Sequence, residues 1–271
     1  MKIDKESVTM ELGSFLDNIF LFPEVDCVKI RDVIIRRDEE KSEKVREAMD
    51  KSYHDCCSDV YLSVVVMISS RDVVTPAEYM KRIDRFGVNA DSSLGWCFID
   101  ENNMYRIIFK NGIRYDFGFE FAYDDNADFI NMPPWEDEYS NPDWPIENVN
   151  RFWFVQIQAL GKLYRKDFLI SSHLANINLN ETLVQQMVLR DLQYGTNHHR
   201  YGYEEGLAYM KNRNWCPIKS DNDTFNIIAD KLYCAALTYD ELTLAFYPQY
   251  RRRCPDFFAI WECYEQGESS D

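Results

Sequence analysis

The chain has 271 residues, 15% of them aromatic, and a formal net charge of -16. That length allows one large domain or two ordinary ones, and the aromatic content supplies the bulk to fill their cores. A surface this negative repels phosphate backbones and anionic lipids, which excludes nucleic acid and membrane as natural partners, whereas a small polycation is attracted by the same field.

The first element is a helix from about Lys5 to Asn18, with Val8, Leu12, Phe15, Leu16 and Ile19 at helical spacing. "VDCVKIRDVIIRR" reads as a strand from its β-branched content, and "RRDEEKSEKVREAMDKSYHD" as a charged interruption, either a loop or a short helix. "VYLSVVVMI" is an almost continuous apolar run, the pattern of a strand buried on both faces. "TPAEYMKRIDRFG" has a Thr cap, Pro at the first helical position and Gly at its end, which predicts a helix. Short strands follow. Asn111-Gly112 signals a type I′ hairpin turn, and alternation in the next strand puts Asp116, Gly118 and Glu120 on one face and Tyr115, Phe117, Phe119 and Phe121 on the other.

"NMPPWEDEYSNPDWPIENVN" carries four prolines and no period, the mark of a linker or long loop. From Arg151 the pattern is helical: "NRFWFVQIQALGKLYRKDFLISSHLANI", "ETLVQQMVLRDLQYG", "GYEEGLAYMKN", "TFNIIADKLYCAALTYDELTLAFYP" and "CPDFFAIWECYEQ" predict a helical bundle. Eight cysteines without a CxxC pair and four histidines without zinc-type spacing read as reduced core thiols. The opening segment lacks the basic end and apolar run of a signal peptide, and no run of about 20 apolar residues is present to span a bilayer. A cytoplasmic protein is expected.

Four segments carry more than pattern. "FKNGIRYDFGFE" sets an aromatic strand, a Gly turn and Arg-x-Asp in an apolar strand. "NRFWFVQIQALGKLYRKDFLIS" begins with Phe-Trp and carries Gly-Lys and Arg-Lys-acid further on, while "QMVLRDLQYG" and "LAFYPQYRRRC" follow at later helices. Together they resemble the nucleotidyltransferase superfamily and, within it, the aminoglycoside 6-adenylyltransferases that inactivate streptomycin. The resemblance covers most of residues 55 to 258. It implies an α+β fold, with a nucleotidyltransferase-like mixed sheet and flanking helices over 1–145 and a C-terminal helical bundle over 146–271. It also implies Mg²⁺-dependent transfer of AMP from ATP to a hydroxyl of a cationic aminoglycoside.

Such sites hold the metal on an Asp-x-Asp pair at the start of one strand and a third Asp on its neighbour. The resemblance places the first Asp at Asp59 and the third at Asp116, as catalytic and metal-holding residues, and positive charge near the triphosphate at Lys162, Arg165 and Lys166; on one helix, 162 and 166 would share a face. The second Asp falls on Tyr61, a phenol that presents no anion to Mg²⁺ at neutral pH. The Gly-Ser turn that cradles phosphates falls where this chain has "RRDEEKSEKVREAMDK", and no glycine lies between Gly13 and Gly87. Asp55 and Glu120 are possible replacement ligands or solvated acids, His54 a base or a loop residue, and His198 and His199 a metal pair or a helix cap. Two functions follow: an adenylyltransferase impaired or silenced at its metal site, or a noncatalytic relative that binds a ligand or partner.

Overall fold

The computed structural model describes residues 3–55, 57, 59–69, 74–89, 91–99, 103–124, 130, 141–196 and 223–268. The chain is α+β, with the strands in its N-terminal half and the longest helices in its C-terminal half. It divides into two compact units, Met1–Asp137 and Glu138–Asp271.

In the first unit, α1 (Lys5–Ile19) starts at a reciprocal cap in which Asp4 accepts from Ser7 N and Ser7 Oγ accepts from Asp4 N. The segment predicted as one strand is a hairpin. β1 (Val25–Ile30) and β2 (Val33–Arg36) pair antiparallel about Arg31-Asp32, and Arg31 takes φ 55. The charged segment is α2 (Lys41–Ser52), which buries Val45, Ala48 and Met49 on one stripe. β3 (Asp59–Ile68) differs from the prediction of burial on both faces at Tyr61, which is exposed; Asp59, just before the apolar run, is exposed too. The next predicted helix is broken into α3 (Pro76–Met80), capped reciprocally by Thr75 and Glu78, and a 3₁₀ turn, Ile83–Phe86, closed by Gly87 at φ 80.

β4 (Ser93–Ile99), β5 (Met104–Phe109) and β6 (Arg114–Tyr123) complete a mixed sheet of order β2-β1-β3-β6-β5-β4, with β3 and β6 parallel and the other pairs antiparallel. The β5–β6 hairpin is present, but its turn is not type I′. Gly112 takes φ 80 and Asn111 does not share the left-handed region; Phe109 N donates to Ile113 O and Gly112 N to Phe109 O, both at 2.9 Å. This is a three-residue loop with glycine in the left-handed position. Loop length sets register, so Arg106, not Ile107, pairs with Asp116.

The aromatic face of β6 forms the core with the helices. Phe15 of α1 stacks on Tyr115 (centroids 5.0 Å apart, 9° between planes), Phe86 packs on Phe117 at 5.4 Å, and Tyr79 meets Phe119 edge-on at 6.0 Å. Each ring removed from water contributes about 1.5–3 kcal/mol before entropy is counted, which fixes this face inward and leaves its opposite for polar groups.

The second unit contains α4 (Ile146–Tyr164), α5 (Phe168–Tyr194), α6 (Thr224–Phe246) and α7 (Cys254–Glu268). Helix boundaries differ from the prediction: the chain turns at 165–167, and α5 then runs without the expected interruption before "ETLVQQ". Lys166 N donates to Leu163 O and Asp167 N to Lys162 O, both at 2.9 Å, and Lys166 takes φ 61. That bonding closes a helix through a left-handed residue, usually glycine, so lysine there hides the stop from sequence. Phe152 and Tyr239 stack with centroids 3.6 Å apart and 2° between planes, joining α4 to α6. The predicted helix "GYEEGLAYMKN", His198 and His199 lie outside the described residues. Among those described, six cysteines are free thiols and no helix is long and apolar enough to cross a membrane.

Candidate functional site

Side chains alternate along a strand, and residues paired across neighbouring strands share a face. The parallel register Asp59↔Arg114, Tyr61↔Asp116, Ser63↔Gly118 and Val65↔Glu120 therefore gathers these residues opposite the aromatic core. From β5, Arg106 stands across from Asp116; from β1, Lys29 stands across from Ser63. The result is a polar strip across four strands, on which Asp59 and Asp116 lie together.

Every carboxylate of the strip has a cation. Arg114 Nε is 3.0 Å from Asp59 Oδ1, with the arginine side chain only 5% exposed. Arg106 Nε is 3.3 Å from Asp116 Oδ1, the two side chains 31% and 15% exposed; the contact is a charge pair whose Nε–H is not aimed for a hydrogen bond. Glu120 accepts from Ser63 Oγ at 2.8 Å and pairs with Lys29. Burial pushes the Asp116 carboxyl above its ordinary range and the charge of Asp59 adds to this, while Arg106 and Arg114 pull it back. Glu120 moves the other way, held below the usual range by its hydrogen bond from Lys29 and then by Ser63.

Tyr61 is 49% exposed, and its ring crosses to β6. The phenol lies over Gly118, where a Cβ would stand 3.4 Å from its hydroxyl, an ordinary van der Waals contact. A hydroxyl there both donates and accepts, beside guanidinium and carboxylate groups. The strip can therefore hydrogen-bond a polar ligand.

Mg²⁺ requires near-octahedral oxygen ligands at short distance. Residue 61 supplies a phenol in place of a carboxylate, Asp116 is engaged by Arg106, and Glu120 is committed to Ser63 and Lys29. Asp55 accepts from Cys57 N at 2.8 Å in the turn before β3, and His54 is exposed. Among the described residues, no group of three or more His, Cys, Asp or Glu is placed to hold a metal ion. Two carboxylates, Asp59 and Asp116, remain on the strip, each beside an arginine.

The remaining sequence-predicted residues gather at the α4–α5 turn. Lys162 is on α4 with Nζ 3.5 Å from Asp167 Oδ2, Arg165 is the C-terminal cap, and Lys166 is the left-handed residue beyond it. Lys162 and Lys166 thus do not share a helical face, because the helix ends between them. A groove of about 930 Å³ lies elsewhere, between α1 and α2 on the helix-covered side of the sheet; its Lys5 pairs with Asp50 and its Lys41 with Asp17.

Arg106, Lys29 and Ser63 escaped the sequence reading. The signal for Arg106 was hairpin loop length: counting back from a three-residue loop puts it opposite Asp116, while a two-residue loop puts it on the aromatic face. No protein-family model matches the chain, and no curated protein matches it.

Proposed function

We propose that this chain is a nucleotidyltransferase-fold protein, similar to the aminoglycoside 6-adenylyltransferases, whose polar sheet face binds a small polar ligand without Mg²⁺-dependent nucleotidyl transfer. The observation that carries this reading is the placement of Asp59, Tyr61 and Asp116. They share one face at the start of adjacent parallel strands, where the resemblance requires a metal-holding triad, and the middle member is a tyrosine lying over Gly118. The ligand class is a cationic aminoglycoside or a compound of like charge, attracted by the net charge of -16. The protein acts in the cytoplasm, without nucleic acid or membrane.

A second reading is residual transfer of AMP from ATP to an aminoglycoside hydroxyl, favoured by the survival of both Asp59 and Asp116 on the strip. One set of titrations separates the two. Streptomycin, and separately ATP, are titrated calorimetrically into the protein with and without Mg²⁺, beside an Asp59→Ala/Asp116→Ala variant, and the streptomycin is recovered for mass measurement. Streptomycin binding indifferent to Mg²⁺, with the drug unmodified, is the expected result. Mg²⁺-dependent ATP binding that the variant abolishes, with adenylylated drug recovered, establishes the second reading instead. No streptomycin binding rejects the proposed ligand class.

A further inference from the structure

We infer that Arg106 is a built-in cation that takes the electrostatic place of a divalent ion at Asp116, making the polar face of the sheet metal-independent. The inference rests on reading Asp59 and Asp116 as a nucleotidyltransferase-type pair. Arg114 belongs to the Arg-x-Asp pattern on which the resemblance itself stands; Arg106 lies outside that pattern. It comes from the neighbouring strand, stands directly across from Asp116 in register, and brings its Nε to 3.3 Å from Asp116 Oδ1. A divalent ion on that carboxylate would have to displace the guanidinium or sit against it, like charge beside like charge in a partly buried place.

Charge counting on the strip points the same way. With an aspartate at 61 and a neutral side chain at 106, the group formed with Asp59, Asp116 and Arg114 would carry two negative charges in excess, the charge of one divalent ion. With Tyr61 and Arg106 as they are, the same group is neutral. The two residues act together: Tyr61 supplies no anion, and Arg106 adds a cation. The hairpin register is what sets Arg106 across from Asp116. Arginine suits the role because its charge persists at any pH the fold survives and its planar fork meets carboxylates well.

The test uses Mn²⁺ alone, with free ion followed by electron paramagnetic resonance, so it does not depend on any nucleotide or drug binding. The native chain is expected to show no saturable Mn²⁺ site at Asp116. The double variant Tyr61→Asp/Arg106→Gln is expected to gain one, at least about tenfold tighter than any native binding, displaced by Mg²⁺ and lost again when Asp116→Asn is added. Arg106→Lys, which keeps the charge, is expected to behave as the native chain. A native Mn²⁺ site that Asp116→Asn removes overturns the inference, and so does a folded double variant that gains nothing. If circular dichroism shows the double variant unfolded, the native chain beside Asp116→Asn decides alone. Failure of streptomycin to bind would reject the proposed ligand while leaving this result standing.

Discussion

Asp240 in the helical unit and Asp116 in the sheet unit are both carboxylates beside arginine, in opposite surroundings. The Asp240 side chain is 1% exposed; its Oδ1 accepts from Tyr250 Oη at 2.9 Å and from Arg253 N at 2.8 Å. Arg253, itself buried, donates from Nη1 to Asn150 Oδ1 at 2.9 Å, and Trp153 Nε1 donates to Tyr250 Oη at 2.9 Å. This network ties α4, α6 and the link into α7 around a carboxylate that is almost fully buried. Asp116 keeps part of its surface open and meets Arg106 in a charge pair with Nε at 3.3 Å. A sealed carboxylate fixes the path of the chain, because any loosening strands a charge in low dielectric. Asp116, less enclosed and held by a partly exposed arginine, contributes less to folding.

The sharpest way to break this comparison is Asp240→Ala. It leaves the buried Arg253 backbone N–H and the Tyr250 hydroxyl without their acceptor, and is expected to cost about 1–3 kcal/mol for each group left unpaired, read by urea unfolding. A loss near zero would put Asp240 in the same class as Asp116. Next in size is Gly112→Ala, where φ 80 strains any side chain and the expected cost is about 1 kcal/mol by the same measurement. If the strained loop shortens or shifts, Arg106 also leaves its place across from Asp116, and the Asp116 titration seen by NMR rises further.

The smallest effects separate two carboxylates on one strand. Asp116 binds its proton more tightly in the native than in the unfolded chain, so its contribution to stability falls as pH climbs through the window above the ordinary carboxylate value of 3.8. Glu120 is the reverse: its stabilisation is present above the ordinary 4.5 and is lost as pH falls through its depressed native value. Unfolding free energies measured from pH 3 to 7 are expected to show Asp116→Asn gaining on the native chain as pH rises. Glu120→Gln is expected to lose ground over the same range, by less than about 1 kcal/mol, since the pair with Lys29 is largely exposed. Parallel pH profiles for the two variants would contradict the difference between the two positions.

Much of this architecture was legible from periodicity. The α1 stripe from Val8 to Ile19, the apolar run of β3, the alternation of β6 and the long helices of the second unit are patterns of spacing, and spacing is a local property. Boundaries set by a residue in an unusual conformation were not legible. Arg31 turns a predicted single strand into a hairpin, and Lys166 stops a helix where no glycine marks the place. In the candidate site, Asp59 and Asp116 could be named by resemblance and Tyr61 by its departure from it. Lys29 and Ser63 could not, since strand order alone brings β1 beside β3 and lets Lys29 reach Glu120 on β6.

The sequence by itself determined which side chains face together along each strand, because a pleat alternates whatever its neighbours do. It thereby put Asp116 and Glu120 opposite the aromatic core. Only the tertiary structure decided what meets Asp116. A left-handed glycine at 112 makes the hairpin loop three residues long, the register follows from that length, and the register places Arg106 across from the carboxylate. A two-residue turn at Asn111-Gly112 would instead pair Arg106 with Phe117, on the aromatic face, and leave Asp116 without it.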